Sequence, residues 1–143
     1  SFLIMSCEVD KPSPPVLCGY LTKLKHKRSV FGSWTKRYFE VNESRERIEY
    51  FRTKPQCVDD ATPSGFINLS EVDAVRKYEG NAFQIEAGPY VLFLKTGSAA
   101  EHACWVQGLQ NYVEQRREYD RMASAREVSM QETACSDDNA LNY

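Results

Sequence analysis

The 143-residue sequence carries 18 Lys and Arg against 20 Asp and Glu, a formal net charge of -2, with 42% hydrophobic and 27% charged residues. That composition suits one ordinary soluble domain with a sizeable core and excludes wholesale disorder. No apolar run approaches the length needed to cross a bilayer, and Phe2-Leu3-Ile4-Met5 is too short for a signal-peptide core. The first residue is serine, so the sequence reads as a fragment or processed product. Five cysteines (Cys7, Cys18, Cys57, Cys104 and Cys135) are odd in number and scattered, with no close pair at metal-binding spacing. They are expected to be reduced thiols, which predicts a cytoplasmic protein without a metal site.

Residues 1–15 contain Pro12, Pro14 and Pro15, which cannot continue a helix or a central strand, and are predicted to be a linker. The domain proper is expected at 16–115. Short alternating or apolar segments follow at Leu17 to Lys25, Trp34 to Asn42, Arg47 to Arg52, Gly65 to Leu69, Val72 to Lys77, Phe83 to Ala87 and Val91 to Lys95. Seven short strands separated by turn signals such as Glu79-Gly80-Asn81 and Ala87-Gly88-Pro89 predict a mainly β fold, an antiparallel barrel or sandwich.

The period then changes. Ser98-Ala99-Ala100-Glu101 has the spacing of a capping box, in which serine and glutamate side chains satisfy free donors at a helix start. Trp105, Val106, Leu109, Tyr112 and Val113 recur at three- and four-residue spacing, so one helical stripe must be buried against the sheet. Residues 116–143 are predicted to be a helix extension that loses its stripe, then a loose polar tail from Ser136.

Charge is unevenly placed. Between Tyr20 and Phe39 lie six Lys or Arg, a third of the total of 18, and no Asp or Glu. The net charge conceals this local concentration, which points to an anionic partner. Strand alternation sets Lys23 on the face of Leu21, and Arg37 on the face of Phe39 and Val41. Both cations therefore project on the core side, where a charge persists only at an open barrel mouth or against an anion. Lys25, Lys27 and Arg28 add charge around the rim, unless they form only a solvated turn, and Tyr50 offers a phenolic hydroxyl. Val30 and Phe31 at the loop tip are candidates to insert into lipid, or else to pack back on Trp34.

The ordered set Gly19-Tyr20-Leu21-Thr22-Lys23, Trp34-Thr35-Lys36-Arg37-Tyr38-Phe39-Glu40-Val41, Ile48-Glu49-Tyr50-Phe51, Gly65-Phe66-Ile67-Asn68-Leu69, Phe83-Gln84-Ile85 and the helical Trp105 resembles a pleckstrin homology (PH) domain. The resemblance implies a seven-stranded, bent antiparallel barrel capped by one C-terminal α-helix whose Trp105 plugs the core. It further implies that phosphoinositide head groups bind at the opposite, open end, with Lys23, Arg37 and Tyr50 on contacting positions. Thr35 and Ser64 depart from the pattern of strong binders, which place basic residues there. Asp59 and Asp60 are expected to line the same mouth and to repel a phosphorylated head group, so binding is expected to be weak and poorly selective.

Enzymatic function is not expected: the sequence has no phosphate-binding glycine loop, no nucleophile elbow, and no Cys or Ser with a credible base. No cofactor is implied. Nucleic-acid binding is disfavoured because the near-balanced domain lacks a long basic stripe. The reading is a non-catalytic module peripherally associated with membranes through anionic lipids such as phosphoinositides. The alternative is a protein-interaction module of the same fold, with a small GTPase or another domain of its own chain as partner.

Overall fold

Alternating burial builds the strands. Along β1 (Cys18–Lys25) Leu21 is hidden while Tyr20 and Lys25 stay at the surface, and along β2 (Ser33–Asn42) Phe39 is wholly buried. The computed structural model describes residues 10–25 and 33–141, with helical side chains as far as Ser129. The further strands are β3 (Arg47–Phe51), β4 (Gly65–Asn68), β5 (Val72–Tyr78), β6 (Ala82–Ala87) and β7 (Tyr90–Lys95). A single 3-10 turn, Leu69–Glu71, joins β4 to β5.

All seven strands form one antiparallel sheet in the order β4-β3-β2-β1-β7-β6-β5. The first strand therefore sits in the middle, with β2 on one side over its whole length and β7 on the other through Thr22 and Lys23. Leu21, Phe39, Ile48, Val75, Phe83 and Leu94, from six different strands, belong to one buried cluster. The sheet thus wraps a single core, as sequence alternation predicts. Between β6 and β7 the turn has only two residues, Gly88 and Pro89, and Gly88 takes a φ of +58°. A positive φ at the first central position is what a tight hairpin requires, and glycine adopts it without a side-chain clash.

The helix α1 (Ala99–Leu141) closes the core. Ser98 caps it: its hydroxyl accepts the Glu101 amide at 3.2 Å, while its carbonyl accepts the His102 amide at 3.0 Å. Trp105, Val106, Leu109, Tyr112 and Val113 are all buried in the common cluster. His102, at 6% exposure, lies on the same inner side, and its Nε2 meets the Ala82 carbonyl at 2.8 Å. Gln110 donates to the Val75 carbonyl of β5 at 2.9 Å.

Residues Ser13–Val113 make up one unit, and the terminal stretches Ser1–Pro12 and Glu114–Tyr143 a second. Within the second, Arg116 pairs with Asp120 at 3.2 Å and Arg121 with Glu118 at 2.5 Å along the helix. The loose tail expected from Ser136 is instead helical to Leu141. No Gly or Pro, the two strongest helix breakers, occurs after Gly108.

Candidate functional site

The strand register assembles a basic mouth. Leu21 stands opposite Arg37 and Lys23 opposite Thr35 across β1 and β2, while Phe39 stands opposite Tyr50 across β2 and β3. Residues two apart share a face, so Lys23, Lys25, Arg37 and Tyr50 all lie on the inner side of the sheet. A cavity of about 240 Å³ opens there, walled by Lys23, Lys25, Arg37, Arg52 and Tyr50, with Thr35 and Ser64 completing the lining.

Among the described residues the four cations are held without carboxylates. Lys23 Nζ donates to the Tyr50 hydroxyl at 3.4 Å and lies 4.7 Å from the centroid of its ring. The hydroxyl is the acceptor in that bond, which leaves its own proton available to the cavity. Arg37 donates to the Lys36 carbonyl at 2.9 Å, a contact that fixes one arm of the guanidinium. Among the described residues, none of Lys23, Lys25, Arg37 and Arg52 is ion-paired. Lys23 and Arg37 are half-buried, so their charge is partly desolvated and an anion in the cavity would gain more than at a free surface.

Backbone geometry supports the aromatic wall. Tyr50 stands opposite Gly65 in the β3 and β4 pairing, and its carbonyl accepts the Ser64 amide at 2.8 Å. A side chain at Gly65 would overlap the Tyr50 ring and hydroxyl. Glycine is needed here for close approach.

The acids of the loop after β3 do not line the mouth. Asp59 borders a separate cavity of about 640 Å³ on the outer side of β2, together with Glu40, Asn42, Glu43, Ser44 and Val58. The Asp59 carbonyl accepts from Arg45 at 3.2 Å, and the Tyr20 hydroxyl accepts the Lys54 amide at 3.0 Å. These bonds draw the loop over the outer face. The repulsion expected from Asp59 and Asp60 at the mouth is therefore corrected by the structure: neither borders that cavity.

Beneath that loop lies a buried carboxylate that strand periodicity alone does not reveal. Glu49 has no exposed surface, and it accepts from Asn42 at 3.0 Å, Arg45 at 3.3 Å and Arg47 at 2.8 Å. Its cross-strand neighbour Glu40 has no such partners, and one carboxylate oxygen is buried without a hydrogen bond among the described residues. Burial first, and the nearby Glu49 charge second, push the Glu40 carboxyl above the ordinary glutamate range.

Of the residues singled out in the sequence, Lys23, Lys25, Arg37 and Tyr50 meet in one cavity, and Trp105 is 3% exposed inside the core. Lys27, Arg28, Val30 and Phe31 lie outside the described residues. Arg52, which the sequence places at the end of the third strand segment and in the following loop expected to line the mouth, joins the cavity although it is not among the candidate site residues. Its position, two residues after Tyr50 in the direction of the strand, is the signal that marks it. Among the described residues no cluster of three His, Cys, Asp or Glu side chains could hold a metal ion, and no helix is long and apolar enough to cross a membrane.

The profile of the PH domain family matches residues 15–114. TBC1 domain family member 2A of Bos taurus is 33% identical over 100 residues, which are 68% of this chain and 10% of that protein. The chain thus matches about a tenth of the length of this curated relative. Among solved structures, the human PH domain of TBC1 domain family member 2 is similar at 27% identity, with a TM-score of 0.57 over 80% of this chain and 91% of that one. The C-terminal PH domain of pleckstrin, solved in complex with D-myo-Ins(1,2,3,4,5)P5, is 26% identical, with a TM-score of 0.52 over 65% of this chain and 92% of that one. With the profile covering most of the sequence and the seven strands and C-terminal helix of those structures in place, this chain belongs to the PH domain family.

Proposed function

We propose that this PH domain is a non-catalytic membrane-targeting module that binds phosphoinositides, or more generally anionic membrane surfaces, through the mouth between β1, β2 and β3. One observation carries the reading: Lys23, Lys25, Arg37 and Arg52 converge with Tyr50 on a single cavity, and no carboxylate neutralises them among the described residues. Such an array attracts phosphate groups, which accept hydrogen bonds from lysine, arginine and the tyrosine hydroxyl together. The pleckstrin domain solved with an inositol pentakisphosphate gives the family precedent for that ligand chemistry. Thr35 and Ser64 occupy lining positions with neutral side chains, which supports modest affinity and low selectivity. Peripheral association with a cytoplasmic membrane surface follows as part of the proposal.

Co-sedimentation with liposomes of graded phosphoinositide content, at two salt concentrations, tests it. Binding should rise with phosphoinositide content and fall with salt, because surface charge attraction is screened. Binding that is absent at low salt and full phosphoinositide content would refute the proposal and leave a protein partner, such as a small GTPase or another domain of the parent chain, as the reading to pursue.

A further inference from the structure

The outer wall of the sheet carries an aromatic strip that the mouth does not use. Trp34 and Tyr78 are 37% and 42% exposed, and Phe93 lies between them, its ring centroid 5.8 Å from that of Trp34 and 5.4 Å from that of Tyr78. Two lysines lie on aromatic faces of the same wall: Lys95 Nζ is 4.3 Å from the Trp34 ring centroid, and Lys36 Nζ is 4.9 Å from that of Tyr20. Arg76, the nearby cation on β5, is already paired with Glu86.

The strip adjoins the mouth. Trp34 stands opposite Leu24, and the next pair in the register is Lys25 with Ser33, where the two strands part. Lys25 lines the cavity, so Trp34 is one position from the cationic rim but on the opposite face of the sheet. Lys23 pairs with Leu94, so residues of β7 before Leu94 run toward the same end. That end also exposes Tyr90 at 72% and Val91 at 44%. A soluble surface has little reason to gather Trp34, Tyr90 and Val91 beside a cluster of unpaired cations.

We infer that the bilayer contact extends from the mouth onto this outer wall, with Trp34, Phe93 and Tyr78 seated at the lipid head-group boundary. The inference rests on the lipid-binding reading above. Tryptophan and tyrosine favour that boundary because one edge of the ring is apolar and the other can be hydrated. A lysine lying along an indole face keeps its stem in the apolar layer and its ammonium at phosphate level. An acidic protein segment would also suit the lysines, but the continuity with the mouth and the apolar rim at Tyr90 and Val91 favour lipid.

The chain contains its own probe, since it has only two tryptophans and Trp105 is sealed in the core. The full chain is mixed with phosphatidylcholine vesicles containing phosphatidylserine and a phosphatidylinositol bisphosphate, with and without bromine on the acyl chains. Trp34 emission should shift to the blue and be quenched by bromine near the head groups, while the Trp34→Phe variant, left with Trp105 alone, should show neither effect. Trp34→Ala should weaken vesicle partition by about tenfold, as loss of one buried aromatic predicts, while binding of a soluble inositol phosphate stays unchanged. Vesicle binding without quenching of Trp34 overturns this inference and leaves the mouth reading intact. Failure to bind vesicles at all overturns both. Self-association or binding to an acidic peptide that Trp34→Ala abolishes, with no quenching, assigns the strip to protein contact and also overturns it.

Discussion

The Tyr50 ring occupies the space where a side chain at Gly65 would begin, so the aromatic wall of the mouth depends on a missing Cβ across the strand pair. Gly65→Ala should therefore both destabilise the domain, by about 1 to 3 kcal/mol as overpacking does, and displace Tyr50 from the cavity. In a Tyr50→Ala background the same change should cost less by at least about 0.5 kcal/mol, the coupling expected of residues in direct contact. Chemical denaturation of the four proteins in this cycle measures the coupling. Additive effects would show that Gly65 serves the local turn and not the mouth.

Trp105 and Arg37 should separate stability from binding. Trp105→Ala empties the centre of the core and should cost about 3 to 5 kcal/mol, a large share of a marginal domain's stability. Arg37→Ala should leave the thermal midpoint unchanged or raise it, because it removes a partly desolvated cation that has no carboxylate partner among the described residues. Melts of both variants without lipid provide the check. A collapse of Arg37→Ala comparable to that of Trp105→Ala would mean that the cation is structural.

Charge reversal at the rim should act on association and not on folding. Replacing Lys25, Lys27 and Arg28 together by Glu should abolish vesicle binding at moderate salt, each near-surface cation contributing about 1 kcal/mol. Arg52→Glu should act in the same direction, since Arg52 shares the cavity. Liposome binding that persists undiminished in the triple variant refutes the electrostatic mechanism.

Glu40 gives a pH dependence of defined sign. Its folded-state carboxyl is raised above the ordinary range, so the folded protein holds this proton more tightly than the unfolded chain. The associated stability is present below the unfolded value and is lost as pH rises through the folded one. Glu40→Gln should therefore raise the thermal midpoint at neutral pH and flatten its fall across the weakly acidic range. A variant whose midpoint tracks the parent at every pH would show that Glu40 is relieved by solvent.

Periodicity alone determines much of this protein. Alternation places Leu21 and Lys23 on one face, three- and four-residue spacing places Trp105, Leu109 and Tyr112 on one stripe, and the Ser98 spacing marks where the helix starts. These features are local, because the backbone geometry that carries them repeats within a few residues. The convergence of Lys23, Arg37 and Tyr50 is nearly as legible, since strand register extends the same alternation across a hairpin. Only the tertiary structure decides which way the long loop after β3 folds. Its direction is set by hydrogen bonds from Arg45 to the Asp59 carbonyl and from the Lys54 amide to Tyr20, contacts between residues 14 and 34 positions apart. That fold carries Asp59 to the outer cavity and keeps it from the mouth, while Glu49 is held by Asn42, Arg45 and Arg47 of the β2–β3 hairpin. A charged residue on a strand reads as solvated until its burial is known: the partners of Glu49 lie close by on the β2–β3 hairpin, and only the packed structure shows that the carboxylate they hold has no exposed surface.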